Sequence, residues 1–108
     1  YPLLSPGERF PVADPEFPPR LEPPVGDRTR LLHGLLEGIA NIERQGYRRL
    51  AELGAPYPSR VYTAGGGASN ECWSRIRRRL LGVPVVPARQ REAAYGAATL
   101  ARGAKTAA

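Results

Sequence analysis

The apolar residues change their pattern near residue 27. Before it, Phe10, Val12, Phe17 and Leu21 stand isolated among Pro2, Pro6, Pro11, Pro15, Pro18, Pro19, Pro23 and Pro24. Each proline removes an N–H donor and fixes φ, so no long helix forms there. Residues 1–26 read as a Pro-rich extended arm, with at most a short strand around 9–12, packed over something larger. A free linker would carry fewer Phe and Leu. From Asp27 onward, Leu31, Leu32, Leu35, Leu36, Ile39, Ile42, Tyr47, Leu50 and Leu53 recur, mostly at three- and four-residue steps. That spacing predicts one amphipathic helix, with Asp27 as its N-cap, Gly54 at C′ and Pro56 beyond. Gly34 and Gly38 lie one turn apart on it, and each costs ~1 kcal/mol relative to Ala. We expect another backbone to approach closely there.

Residues 59–64 (Ser-Arg-Val-Tyr-Thr-Ala) are β-branched and aromatic at their centre and predict a strand. Residues 70–81 predict a second helix, with Trp73, Ile76, Leu80 and Cys72 toward one side and Gly82 and Pro84 as its stop. Residues 83–86 predict a short strand buried on both faces. Residues 92–101 predict an alanine-rich third helix with Gly96 in a tight contact, and 102–108 a polar tail. The order helix, strand, helix, strand, helix is α/β and implies parallel strands joined by crossovers. Two strands do not make a sheet covered on both faces, so further strands are expected upstream and the chain is expected to be part of something longer. A first residue Tyr1 and the lack of any methionine agree with that expectation.

Composition narrows the classes. A chain of 108 residues fits one domain, and a hydrophobic share of 42% argues against wholesale disorder. No apolar run approaches ~18 residues, and no basic start leads into an apolar stretch, so we expect neither a membrane span nor a secretory signal, and a cytoplasmic location. Cys72 is the only cysteine, which excludes an intrachain disulfide and a multi-cysteine zinc site. His33 is the only histidine and lies inside the helical pattern, where a structural or solvated role is the plainer account. The net charge is +6, carried by fifteen arginines and Lys105 alone. That balance favours anionic partners without choosing among nucleic acid, nucleotides and phosphorylated metabolites. Arg75, Arg77, Arg78 and Arg79 form a cluster that suits nucleic-acid phosphates. They share their helix with Ile76, Leu80 and Leu81, so a solvated helix face is the simpler reading, and nucleic acid is not expected as a partner.

The stretch that carries most chemistry is Tyr62-Thr63-Ala64-Gly65-Gly66-Gly67-Ala68-Ser69-Asn70-Glu71-Cys72-Trp73. A strand runs into three glycines and then into a helix start. Removing side chains where the chain leaves a sheet lets a ligand approach the backbone, and the amides of the following helix start favour negative charge. A bare strand-to-helix turn would look the same. The spacing is neither a P-loop nor a Gly-x-Gly-x-x-Gly fingerprint. Asn70 and Trp73 both fall on the first turn of the helix. An amide and an indole beside a glycine floor suit a purine, although Asn70 also suits an N-cap and Trp73 also suits a core.

Gly65-Gly66-Gly67-Ala68-Ser69-Asn70-x-x-Trp73, then Leu81-Gly82-Val83-Pro84-Val85, then Glu92-Ala93-Ala94-Tyr95-Gly96-Ala97-Ala98, resemble in order and spacing the C-terminal end of FGGY-family carbohydrate kinases. Leu35-Leu36-Glu37-Gly38-Ile39-Ala40 is similar to the family's helix before the glycine strand. Gly7-Glu8-Arg9-Phe10-Pro11 with Asp14-Pro15 resembles the ribulose/xylulose-kinase-like branch. The likeness spans residues 7–102. It implies an actin-like ATPase fold whose lobes have RNase H-like cores, with residues 27–108 forming the C-terminal part of the nucleotide-binding lobe. It implies ATP and Mg2+ in a cleft and transfer of the γ-phosphoryl group to a sugar or polyol hydroxyl, such as that of a ketopentose. By motif match Gly65, Gly66 and Gly67 would bind the nucleotide, Asn70 the adenine edge, and Trp73 would wall the adenine. Residues 92–98 would close the far side of the site. The family's catalytic aspartate and sugar pocket lie upstream, and Asp14 and Asp27, the only aspartates, match neither. The resemblance therefore implies a kinase as the full-length parent, completed by an N-terminal lobe, and a segment inactive by itself. The alternative is a basic nucleic-acid-binding or non-catalytic interaction module.

Overall fold

Asp27 starts the longest element, α1 (Arg28–Glu52), by accepting a hydrogen bond from the Arg30 amide through Oδ1 at 2.9 Å. The helix stops where Gly54 takes φ +98°, a conformation that favours glycine, and the Ala55 amide turns back to the Leu50 carbonyl at 3.0 Å. The computed structural model describes residues 3–22, 24 and 26–103. After α1 come β1 (Val61–Thr63), a 3₁₀ turn (Gly66–Ser69), α2 (Glu71–Leu81), β2 (Val85–Pro87) and α3 (Ala93–Ala101). The expected alternation of helices and strands is present. Of the tail expected over 102–108, residues 104–108 lie outside the described residues.

β1 and β2 pair in parallel, with Val61 opposite Val85, Tyr62 opposite Val86 and Thr63 opposite Pro87. Both strands are shorter than their apolar runs suggest, and the second begins two residues later than expected. Gly82 closes α2 in the left-handed region at φ +72°, and Val83 and Pro84 complete that turn, so pairing starts at Val85. The Val61 amide donates to the Pro84 carbonyl and the Ala88 amide to the Thr63 carbonyl, both at 2.8 Å. Pro87 thus ends the strand without needing the N–H it lacks.

Val61 and Thr63 are buried while Tyr62 between them is exposed. One face of the pair is therefore covered, and Val86 on the other is only half-buried. That corrects the expectation of a strand buried on both sides. The core is Val61, Leu81 and Val85, with Tyr47 of α1 and Val83 against it. Tyr57 donates its hydroxyl to the Leu81 carbonyl at 2.9 Å and meets Tyr47 edge-on with centroids 6.2 Å apart.

The arm forms no strand at 9–12. Instead Glu8 and Asp14 exchange backbone hydrogen bonds of 2.8 and 2.9 Å, and the loop between them presents Phe10 to α1. A Cβ on Gly46 would fall 2.0 Å from Phe10 Cζ, so the glycine admits the ring. The glycines expected to be in close contact are others: ideal Cβ positions at Gly34, Gly38 and Gly96 meet nothing within 4 Å. None of the three is packed at its Cβ position, and no α3 side chain is buried. The accessible surface is 8399 Å², against about 5,900 Å² for a compact monomer of this mass. No helix among the described residues is long and apolar enough to cross a membrane.

Candidate functional site

The glycine turn leaves β1 at its C-terminal end, the position at which open parallel sheets bind ligands. Gly65 has φ +74° and ψ −173°, a conformation essentially confined to glycine. Its amide donates to the Arg91 carbonyl at 2.9 Å, and its carbonyl accepts from the Ala68 amide at 3.1 Å. Arg91 also reaches across the turn with Nη1 to Ser69 Oγ at 3.0 Å. The loop between β2 and α3 is thereby tied to the glycine turn. Neither Arg91 nor Ser69 stood out in the sequence, because a pairing 22 residues apart leaves no periodic signal.

The three glycines differ in use. Ideal Cβ positions on Gly65 and Gly66 meet nothing within 4 Å, so the backbone there is open to an incoming group. The Cβ position of Gly67 instead points at the Trp73 indole, 3.6 Å from Cδ1 and 3.7 Å from Nε1. Gly65 and Gly66 make the open floor, while a Cβ at Gly67 would meet the indole at ordinary contact distance.

Asn70 is the N-cap of α2. Its Oδ1 accepts from the Trp73 amide at 3.0 Å, and its own amide donates to the Gly67 carbonyl at 3.1 Å. The capping role foreseen for this residue is real, yet it engages only the amide oxygen. The side chain is exposed, and Nδ2 remains able to donate. Trp73 is half-buried, and its indole N–H, beside Gly67, has no partner among the described residues. The five candidate residues Gly65, Gly66, Gly67, Asn70 and Trp73 therefore stand together at one end of the sheet.

The arginine cluster is less solvated than its sequence suggests. Arg77 is 7% exposed. Its Nε donates to Glu43 Oε2 at 2.8 Å and its Nη2 to Oε1 at 2.7 Å, joining α2 to α1. The hydrogen bond to Glu43 raises the Arg77 pKa above its ordinary value; burial opposes this, and the charges of Glu43 and Tyr47 add to it. Arg78 pairs with Glu71 at 2.9 Å and donates to the Val85 carbonyl at 3.1 Å, Arg79 pairs with Glu37, and Arg75 contacts the Cys72 sulfur at 3.2 Å. His33 is exposed and contacts Glu37 at 2.9 Å. The cluster is largely occupied by this chain's own carboxylates, which disfavours a phosphate-tracking surface.

Trp73 has a further neighbour. Its ring lies over the Arg77 guanidinium, 5.6 Å from carbon to centroid. It also lines an open groove of about 590 Å³ with Phe10, Ile39, Ile42, Tyr47, Thr63 and the Glu43–Arg77 pair. The open floor, free donors and indole fit a flat heteroaromatic base with an anionic tail. Among the described residues no cluster of three or more His, Cys, Asp or Glu could hold a metal ion. The residues here therefore do not fit a dedicated magnesium site. Asp14 caps its own turn at the Glu16 amide and Asp27 caps α1, so both aspartates are structural.

Residues 1–104 match the family model for the C-terminal domain of the FGGY family of carbohydrate kinases.

Proposed function

The chain belongs to the FGGY family of carbohydrate kinases, through their C-terminal domain, and on that premise we propose that its glycine turn is the nucleotide shelf of a sugar kinase. The family comprises ATP-dependent carbohydrate kinases of actin-like ATPase fold. Gly65 and Gly66 form the floor on which the nucleotide rests. Asn70 Nδ2 donates to a ring nitrogen of adenine, and Trp73 walls the base and excludes water from it. Residues 1–26 are a Pro-rich extended arm whose Phe10 meets α1, and 27–108 belong to the nucleotide-binding lobe. The acceptor is a sugar or polyol, with a ketopentose such as ribulose or xylulose favoured by the likeness of 7–15 to that branch.

The observation that carries the reading is the open backbone at Gly65 and Gly66, with an indole and an amide on the next helical turn. ATP would supply the transferred phosphoryl group. The residues here would bind and orient its nucleoside half, since phosphoryl transfer depends on positioning and charge stabilisation. Nothing among the described residues fits the base that would take the acceptor's proton, so we assign that step and the sugar pocket to the N-terminal domain. Mg2+, which the family generally uses, has no ligand set among these residues, and we assign it no contact here.

Gly66→Val in the full-length kinase is a direct steric test. Gly66 has no positive φ and its Cβ direction is empty, so valine fits the protein itself. Folding stability should change by less than about 1 kcal/mol, while ATP affinity by calorimetry falls at least about tenfold, or ~1.4 kcal/mol. Unchanged ATP affinity in the folded variant contradicts the reading.

A further inference from the structure

The buried pair between α1 and α2 has a geometry that helix packing alone does not require. Arg77 and Glu43 bind through two parallel hydrogen bonds of 2.8 and 2.7 Å, with side chains 9% and 23% exposed. A two-point carboxylate contact fixes the plane of a guanidinium as well as its position. The Trp73 ring lies over that guanidinium. The same residue is held at its backbone by the Asn70 cap. The ring thus rests against a guanidinium of its own helix, and that guanidinium is fixed by a carboxylate from a different helix, 34 residues away in sequence.

We infer that Glu43 and Arg77 are positioning residues for base recognition: Glu43 orients Arg77, and Arg77 holds the Trp73 indole in the attitude that receives the purine. This rests on the nucleotide reading above and adds the device that makes the wall rigid. The physical reason is preorganisation. An indole free to rotate must be ordered when the base binds, and that entropy loss weakens affinity. A ring already seated on a fixed cation loses little. The charge of Arg77 is matched by Glu43, so the platform itself adds no net charge beside the ligand. The pair also couples α1 to the base: a displacement of α1 would tilt the guanidinium, and with it the wall.

A structural role and a positioning role separate by ligand. Tripolyphosphate shares the anionic tail of ATP but has no base. Three full-length variants are compared with wild type by calorimetry against ATP and tripolyphosphate, with thermal unfolding as control. Arg77→Lys keeps the charge but loses the planar fork. Glu43→Leu with Arg77→Met replaces the pair by apolar groups of similar length, a class of exchange that leaves stability neutral or raised, and so provides a folded variant. Trp73→Ala removes the wall itself.

The expected result is that Arg77→Lys and the double variant bind ATP about three- to tenfold more weakly, as the loss of a preorganised aromatic contact implies. Their tripolyphosphate affinity should stay within about twofold of wild type, because the phosphate contacts are untouched. ATP affinity equal to wild type in the folded double variant, with Trp73→Ala impaired, overturns the inference and leaves the nucleotide shelf standing. Equal losses for ATP and tripolyphosphate make the pair merely structural and also overturn it. If Trp73→Ala binds ATP as wild type does, both readings fall.

Discussion

Asn70 has two tasks in this account, and they are separable by mutation. Its Oδ1 caps α2 by accepting from the Trp73 amide at 3.0 Å, while its Nδ2 is left to donate to adenine. Asn70→Ala removes both. Losing an N-cap costs about 1 kcal/mol of stability, within a range of about 0.5–2. Losing one neutral hydrogen bond to the base costs about 1 kcal/mol more in binding, or roughly fivefold in Kd. Asn70→Ser removes only the second, because a serine hydroxyl is as good a cap but its oxygen cannot place a donor where Nδ2 stands. The serine variant of the full-length kinase should therefore unfold within about 0.5 kcal/mol of wild type. Its ATP affinity should fall roughly fivefold, by about the same factor as for Asn70→Ala. The assay pairs urea denaturation with calorimetric titration of ATP. If Asn70→Ser binds ATP as tightly as wild type, the residue is a cap and nothing more, and its place in the adenine site is refuted.

Three further outcomes follow from the geometry. Gly65→Ala should destabilise by about 1–3 kcal/mol, since φ +74° with ψ −173° is glycine territory; a denaturation midpoint equal to wild type contradicts that. Gly46→Ala should expel the Phe10 ring, because the new Cβ lies 2.0 Å from Cζ. The helix then gains up to ~1 kcal/mol in propensity, which offsets the lost contact, so the readout is faster tryptic cleavage at Arg9 with little change in stability; an unchanged cleavage rate would show that the arm does not rely on this contact. The 108 residues expressed alone should unfold without a sharp cooperative transition. Their surface of 8399 Å² includes exposed Tyr62, Tyr95 and Leu100, and Arg44 carries a buried Nε with no partner among the described residues. A steep two-state urea transition of the monomer would refute this.

What the sequence made legible was local. The 3.6-residue spacing from Leu31 to Leu53 together with Asp27 and Gly54 placed α1 to within a residue or two, because periodicity and caps act within a few residues of one another. The strand–glycine–helix order located the turn and its parallel pairing. The uses of individual glycines were not legible. Gly34, Gly38 and Gly96 face open space, whereas Gly46 receives a ring from a segment 36 residues away in the chain, and nothing in the spacing of either segment marks that contact. Arg77 looked like one arginine among four, although its i, i+4 relation to Trp73 placed both on one side of α2. Its burial depends on Glu43, which only the packing of α1 against α2 brings within reach. For Asn70, the sequence allowed both cap and ligand contact, and the structure supplies the cap while leaving the other half of the amide for a ligand.

The most direct test of the nucleotide shelf uses the cleavage sites the chain itself provides. Trypsin cutting after Arg60 and Arg75 releases residues 61–75, which carry Gly65, Gly66, Gly67, Asn70 and Trp73 together. Full-length kinase is irradiated with a photoreactive adenine-azido ATP, with and without excess ATP, digested, and the labelled peptides are identified by mass spectrometry. The account predicts label on the 61–75 peptide that excess ATP suppresses. ATP-suppressible label found elsewhere, with none on 61–75, would contradict it.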